Sequence, residues 1–505
     1  MVADENLFRL FETRFPADRA RRFLETDTGQ VYTYADLERE SARLARFLGD
    51  LGIRKGDRVA VQVDKSPQAL FLYLACLRAG FIYLPLNTAY TRSEIEYFLG
   101  NSEPSAVVCR PESLALMEAV AADHGVGQVL SLDEHGGGSL IEGSATTTPQ
   151  FDPVVCARDD VAAILYTSGT TGRPKGAMIS HGNLAANALA LHQAWRWGPQ
   201  DVLLHALPLF HIHGLFVACH CVLLNGTDML FLRKFDVPTV RRLLPRATVM
   251  MGVPTFYTRL LADPAFGRGD CPHMRLFISG SAPLLVQTFE EFRDRTGHTI
   301  LERYGMTETG MNCSNPVDGA RKPGTVGPPL PGVSARIVDG EDRELAAGEV
   351  GQLLVEGPNV FQGYWRMPEK SAEEFTAEGF FRTGDLARTD DDGYVAIVGR
   401  AKDMVITGGY NVYPKEIESA IDDLDGVVES AVIGLPHADF GEMVSAVVVR
   451  PPGAQAPDEA AVIAALKERL AGYKVPKRVF FANALPRNSM GKVQKNVLRD
   501  QYGKR

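Results

Sequence analysis

The sequence predicts an α/β protein: a large N-terminal domain of parallel-rich sheets covered by helices, closed by a small β region, then a small C-terminal α/β domain. Three observations predict it. Strand-length apolar runs alternate with helix-period segments from about residue 33 to residue 304, as parallel sheets covered by helices require. Pro and Gly then crowd 326–338, and 351–356 alternates as a half-buried antiparallel strand does. The tail returns to mixed patterns over roughly one hundred residues, a reasonable size for a separate domain. The charged stretch Arg400-Ala401-Lys402-Asp403 falls between two β-like segments. It divides the chain into 1–399 and 405–505, with a hinge at 400–404.

Taken in order, Thr33 is an N-cap for a helix over 34–51, where Leu37, Leu44, Phe47, Leu48 and Leu51 recur at helical spacing and Gly52 supplies the stop. Strands follow at 59–63, 82–86 and 106–109, with helices at 67–78 and 94–99. The region 135–153, which opens on Gly136-Gly137-Gly138, reads as a loop. An apolar strand at 161–165 leads into a glycine-rich loop, and a helix starts near Asn183. Alternation continues through 202–206, 215–224, 229–232, 237–243, 248–251, 274–279, 284–295 and 300–304. The β region resumes at 393–399. The tail reads as 414–423, 427–434, 444–449, 458–470 and 479–481.

Composition narrows the function classes. The net charge of −9 leaves no basic excess to neutralise phosphates, which argues against a nucleic-acid partner. Seven scattered cysteines read as reduced thiols of a cytoplasmic protein. The acidic N-terminus lacks the apolar core of a signal peptide, and the apolar run 214–224 is too short for a bilayer, so no membrane partner is expected.

The loop after the first buried strand is Tyr166-Thr167-Ser168-Gly169-Thr170-Thr171-Gly172-Arg173-Pro174-Lys175-Gly176. Its glycines let backbone N–H groups approach an anion, and its hydroxyls and Lys175 add donors and charge. It departs from G-x-x-x-x-G-K-[ST], because Gly176 follows Lys175. It resembles the phosphate-binding signature of the adenylate-forming superfamily of acyl-CoA synthetases, adenylation domains and luciferases. The resemblance runs from about residue 30 to 498. It implies ATP, Mg²⁺ and coenzyme A as cofactors, small-molecule partners, and a mobile C-terminal domain.

Residue by residue, the resemblance assigns the ATP site to Thr167, Ser168, Gly169, Thr170, Thr171, Gly172 and Lys175. Tyr304 of the block Tyr304-Gly305-Met306-Thr307-Glu308-Thr309 would stack on adenine, Thr307 and Glu308 are catalytic, and Glu308 ligates the metal. Gly280, Ser281 and Ala282 resemble the segment lining the adenine pocket. Asp385, placed in a turn, resembles the ribose-binding carboxylate, with Arg400 as a second contact. Lys492 matches the C-terminal lysine that bridges the attacking carboxylate and the α-phosphate. Neutralising it by acylation would make a lysine acyltransferase a further partner. Lys402 is the hinge, and Gly408, Gly409 and Tyr410 resemble the loop that lines the pantetheine tunnel.

His211 and His213 would face the acyl pocket with Ser279 and Met306. A zinc site with Cys219-His220-Cys221 is rejected, because helical neighbours point about 100° apart and no Cys-x-x-Cys accompanies them. Glu302-Arg303 before Tyr304 most resembles malonyl-CoA and methylmalonyl-CoA synthetases, Arg303 selecting a second carboxylate. The competing readings are a ligase for another short or medium-chain acid, a stand-alone carrier-loading adenylation protein, an oxidative luciferase-like enzyme and a non-catalytic nucleotide-binding protein.

Overall fold

The structure, a computed structural model of the chain, describes residues 4–167, 174–408, 410–437, 439–451, 457–488 and 491–503. Ser168, Gly169, Thr170, Thr171, Gly172 and Gly409 lie outside the described residues.

Two large sheets build the N-terminal domain. In the first, five parallel strands run Gln128–Ser131, Ala106–Cys109, Arg58–Gln62, Ile82–Pro85 and Val161–Thr167, and Lys175–Ser180 closes the edge antiparallel. In the second, six parallel strands run Ile300–Met306, Leu276–Ser279, Val249–Gly252, Val202–His205, Asp228–Phe231 and Arg22–Thr26. Gly310–Ser314 and Val31–Thr33 flank it antiparallel. The short strands are buried almost throughout, as strands covered on both faces must be. The helix Pro67–Ala79 buries every residue but Gln68, so it is a core helix rather than a surface one. Thr33 caps Tyr34–Asp50 in a capping box with Asp36.

A four-stranded antiparallel sheet of Ser334–Val338, Gly351–Glu356, Phe381–Thr389 and Val395–Arg400 completes this domain. The C-terminal domain packs Pro414–Asp422 and Glu459–Lys467 on a mixed sheet that includes Glu429–His437, Gly441–Val449 and Arg478–Ala482. Between the domains Ala401–Asp403 form one turn of 3₁₀ helix.

The structure corrects several expectations. Lys175–Ser180 is a strand, paired antiparallel with Val161–Thr167, before the helix His181–Trp195. Thr383, Gly384 and Asp385 lie inside the strand Phe381–Thr389, not in a turn. A shift of register there, with Gly384 at φ 70°, aims the segment out of the ladder. The segment 215–224 is a π-helix, His213–Cys219, that runs into the α-helix His220–Asn225. The glycine-rich region 135–153 contains the helix Ser139–Ser144. The hairpin Arg22–Thr26/Val31–Thr33 was not foreseen; its polar residues Arg22 and Glu25, paired with each other, hide the strand period.

Candidate active site

A cleft of about 690 Å³ opens at the carboxyl ends of the parallel strands, where α/β sheets collect ligands. Thr167, Lys175, His211, Ser281, Arg303, Met306, Thr307, Glu308, Arg400, Lys402 and Lys492 all line it. Residues drawn from both domains and from three sheets therefore meet in one place.

On the polar side, Glu308 is buried and its Oε1 accepts from the Thr167 and Tyr364 hydroxyls, each at 3.1 Å. Lys175 is also buried. Its ammonium donates to Glu374 at 3.1 Å and lies 4.0 Å from the Tyr364 ring centroid. Tyr304 and Asp385, expected as separate contacts, are bonded to each other: the phenol donates to Asp385 Oδ2 at 2.5 Å. Asp385 Oδ1 pairs with Arg400 Nε at 2.8 Å, and Arg400 also donates to the Thr383 carbonyl. Asp385 is buried, and a buried charge costs less when a partner of opposite charge meets it.

On the other side, Arg303 is buried with no carboxylate partner among the described residues, and its Nε and Nη2 have no hydrogen-bond partner. Burial lowers its pKa to about 9, so it stays charged at neutral pH. Strand alternation sends the adjacent Glu302 the other way, where its carboxylate accepts the Leu284 N–H at 3.0 Å. Burial raises the Glu302 pKa to about 7. Gly280 makes room for the guanidinium: a Cβ there would sit 2.4 Å from Arg303 Cζ. Burial, and then the charge of Arg303, lowers His211 to about 4 and His213 well below the ordinary histidine value, so both rings are neutral. His211 Nδ1 accepts the backbone N–H of His213 at 3.2 Å, which puts the His211 proton on Nε2. His213 Nδ1 meets Ser281 Oγ at 3.2 Å, leaving its buried Nε2 without a partner. The Ser279 hydroxyl, fully buried at the end of its strand, is also unpartnered. Gly280 and Ser281, expected on the adenine side, thus turn toward Arg303 and His213. Cys219 faces His205 and His220 faces the Tyr73 hydroxyl, so the two neighbours diverge.

Two matches decide the family. The AMP-binding enzyme family matches residues 9–365, and the C-terminal domain of AMP-binding enzymes matches residues 416–492. The chain belongs to the AMP-binding enzyme family. Among AMP-binding enzymes, it is 38% identical over 516 residues to the mitochondrial malonate–CoA ligase of Mus musculus, covering 93% of this chain and 87% of that protein. It is 37% identical over 479 residues to a feruloyl-CoA synthase of Amycolatopsis sp, covering 94% and 95%. ATP-bound MatB from Rhodopseudomonas palustris superposes with a TM-score of 0.97 at 56% identity, covering 99% of each chain; the apo form of that protein gives 0.86.

The likeness to the ATP-bound form agrees with where the C-terminal domain of this AMP-binding enzyme sits. Its Asn488 and Lys492 line the cleft, and a Cβ at Gly491 would lie 3.5 Å from Thr255 Oγ1 of the N-terminal domain. The backbone of Lys492 is pinned at both ends, its N–H donating to Asn488 Oδ1 and its carbonyl accepting the Asn488 N–H, each at 2.9 Å. Desolvation, then the charge of Arg400, lowers the Lys492 pKa from the ordinary lysine value. Gly408 and Tyr410 stay outside the cleft in this orientation. Tyr410 is exposed and stacked on Tyr473 at 4.6 Å. Sequence reading missed Tyr364, Glu374 and Asn488. Tyr364 and Glu374 come from a segment with no recognised motif, and Asn488 stands out in the sequence only as part of the block around Lys492.

Proposed function

We propose that the chain is an AMP-forming acid–thiol ligase that makes malonyl-CoA, and also methylmalonyl-CoA, from the free diacid, ATP and coenzyme A. The observation that carries the diacid is the buried, unpaired guanidinium of Arg303. A buried charge is costly unless an anion meets it. With Ser281 donating to His213 Nδ1, the set near Arg303 offers imidazole N–H groups from His211 and His213, and the unpartnered hydroxyl of Ser279, next to Gly280, is assigned to the same carboxylate. A carboxylate, which only accepts, suits such a set. The likeness to a malonate–CoA ligase and to MatB supports the same reading.

Glu308 fits Mg²⁺: it is a buried carboxylate, a hard oxygen donor, and phosphates and water would supply the remaining ligands. When bound, the ion neutralises phosphate charge during adenylation. The chain's own residues do the rest. Arg303 holds the far carboxylate so that the near one meets the α-phosphate, Lys492 follows the negative charge as it shifts to phosphate, and Asp385 with Arg400 fixes the ribose. Coenzyme A thiolate then attacks the acyl carbonyl and AMP leaves. Rotation about Lys402 brings the Gly408–Tyr410 face to the cleft for that step.

All seven cysteines are free and buried, which suits the reducing cytoplasm. No described helix is long and apolar enough to cross a membrane. The loop position of Lys492 also suits a lysine acyltransferase, whose modification would neutralise the ammonium and stop adenylation.

The reading is tested by a panel of acids assayed for coenzyme A-dependent AMP formation, and a fatty acid or benzoate that outruns malonate overturns it. Two variants test the machinery. Glu308→Gln keeps the shape but removes the charge, and should raise the magnesium needed for pyrophosphate release by about tenfold while acid binding stays near normal. An unchanged magnesium dependence would remove Glu308 from the metal. Lys402→Pro places proline in the first turn of the 3₁₀ segment, where it is tolerated, yet fixes φ where rotation must change it. Thioester formation should slow about tenfold or more with adenylation kept; unchanged turnover would put the hinge elsewhere.

A further inference from the structure

Behind the acyl side of the cleft lies a further buried cation that the mechanism above does not use. Lys65 precedes the helix Pro67–Ala79 and is 9% exposed. No carboxylate among the described residues pairs with it. Its ammonium donates to His205 Nδ1 at 2.7 Å and to the His205 carbonyl at 2.9 Å, and lies 4.3 Å from the Phe231 ring centroid. Burying an ammonium on such weak partners is expensive, and burial lowers the Lys65 pKa to about 7.

The hydrogen bonds run in one direction. Because Nδ1 of His205 accepts from Lys65, the ring carries its proton on Nε2, and Nε2 donates to the Gly214 carbonyl at 2.8 Å. Burial, then the charge of Lys65, lowers His205 well below the ordinary histidine value and keeps it in that neutral form. Gly214 belongs to the tight turn that opens the π-helix. A Cβ there would meet the Pro208 carbonyl oxygen at 2.0 Å, so the turn has one way to pack. The same turn carries His211 and His213, and Leu215 N–H closes it on the His211 carbonyl at 3.0 Å.

We infer that Lys65 is a positioning residue for the acid substrate: through the His205 side chain it fixes the Gly214 carbonyl, and with it the turn that puts His211 on the acyl side of the cleft and His213 against Ser281. The inference rests on the acid-binding role proposed for those two histidines. Lys65 and His205 themselves do not line the cleft, so they touch no reacting atom.

The test compares wild type, Lys65→Met, His205→Leu and His205→Gln, using whichever acid of the panel the wild-type enzyme turns over best. The wild-type panel alone judges the diacid reading, and the variants judge Lys65. Lys65→Met keeps the stem and removes the donors. It should lower kcat/KM for the acid about tenfold to a hundredfold, mainly through KM, with KM for ATP within about twofold. His205→Leu should match it. His205→Gln puts an amide N–H where Nε2–H was and should recover most of the loss. Acid parameters equal to wild type in Lys65→Met, or a rise in both KM values together, would overturn the inference. If Lys65→Met does not fold, equal losses in His205→Leu and His205→Gln would overturn it.

Discussion

Lys492→Ala is expected to cut acyl-adenylate formation by about a hundredfold or more and to leave thioester formation from preformed acyl-adenylate near the wild-type rate. The ammonium shares the cleft with Thr307, Glu308 and Arg400. Its backbone is fixed by two hydrogen bonds to Asn488, while the side chain is left to follow the shifting charge. Charge developing between carboxylate and α-phosphate is therefore met by a cation already in place, and a preorganised donor of this kind contributes most in the transition state. Alanine removes the cation and nothing of the fold's core, because the Lys492 side chain lies in the cleft rather than in a hydrophobic cluster. In the proposed cycle the Gly408–Tyr410 face replaces this loop for the second half-reaction, so the loss should not carry over. Single-turnover assays of the two half-reactions separate these outcomes. An equal loss in both would mean that Lys492 serves the whole cycle or holds the domains together.

What the sequence made legible was local. Thr33 reads as the N-cap of the helix over 34–51, and the structure caps Tyr34–Asp50 with it, adding a box with Asp36. The alternation of Glu302 and Arg303 on one strand predicts opposite faces, and the structure puts Glu302 on the Leu284 N–H. What was hidden depends on partners far along the chain. Lys175 reads as a free cation of the phosphate loop, yet it is buried against Glu374, 199 residues away. Glu308 shares an oxygen between Thr167 and Tyr364, and no pattern around either hydroxyl announces it. The strand Lys175–Ser180 was missed because its first residue is a lysine, and only that distant carboxylate lets it enter a buried strand. Asp385 reads as a turn residue because Gly384 precedes it. A register shift within one long strand gives Gly384 its positive φ without ending the ladder.

Wild-type enzyme is expected to prefer malonate over acetate and propionate by at least about a hundredfold in kcat/KM, and Arg303→Ala to erase most of that preference. Arg303 is 3% exposed, two of its nitrogens are unpartnered, and Glu302 is turned away from it. A monocarboxylate leaves the guanidinium buried without an anion. A mispaired buried charge costs roughly 2–5 kcal/mol, a factor of about thirty to several thousand. Malonate supplies the missing carboxylate, which a planar guanidinium grips in two parallel hydrogen bonds. Arg303→Ala removes both the grip and the penalty, so malonate should lose activity while acetate holds or gains. Arg303→Lys keeps the charge without the fork and should fall between them. KM for ATP should stay near normal in both, because Tyr304, Asp385 and Arg400 form their own bonded set. The guanidinium also packs on Gly280, so each variant needs a melting curve beside its kinetics. A variant that folds as wild type does and still prefers malonate would take the second carboxylate away from Arg303 and give it to the histidines alone.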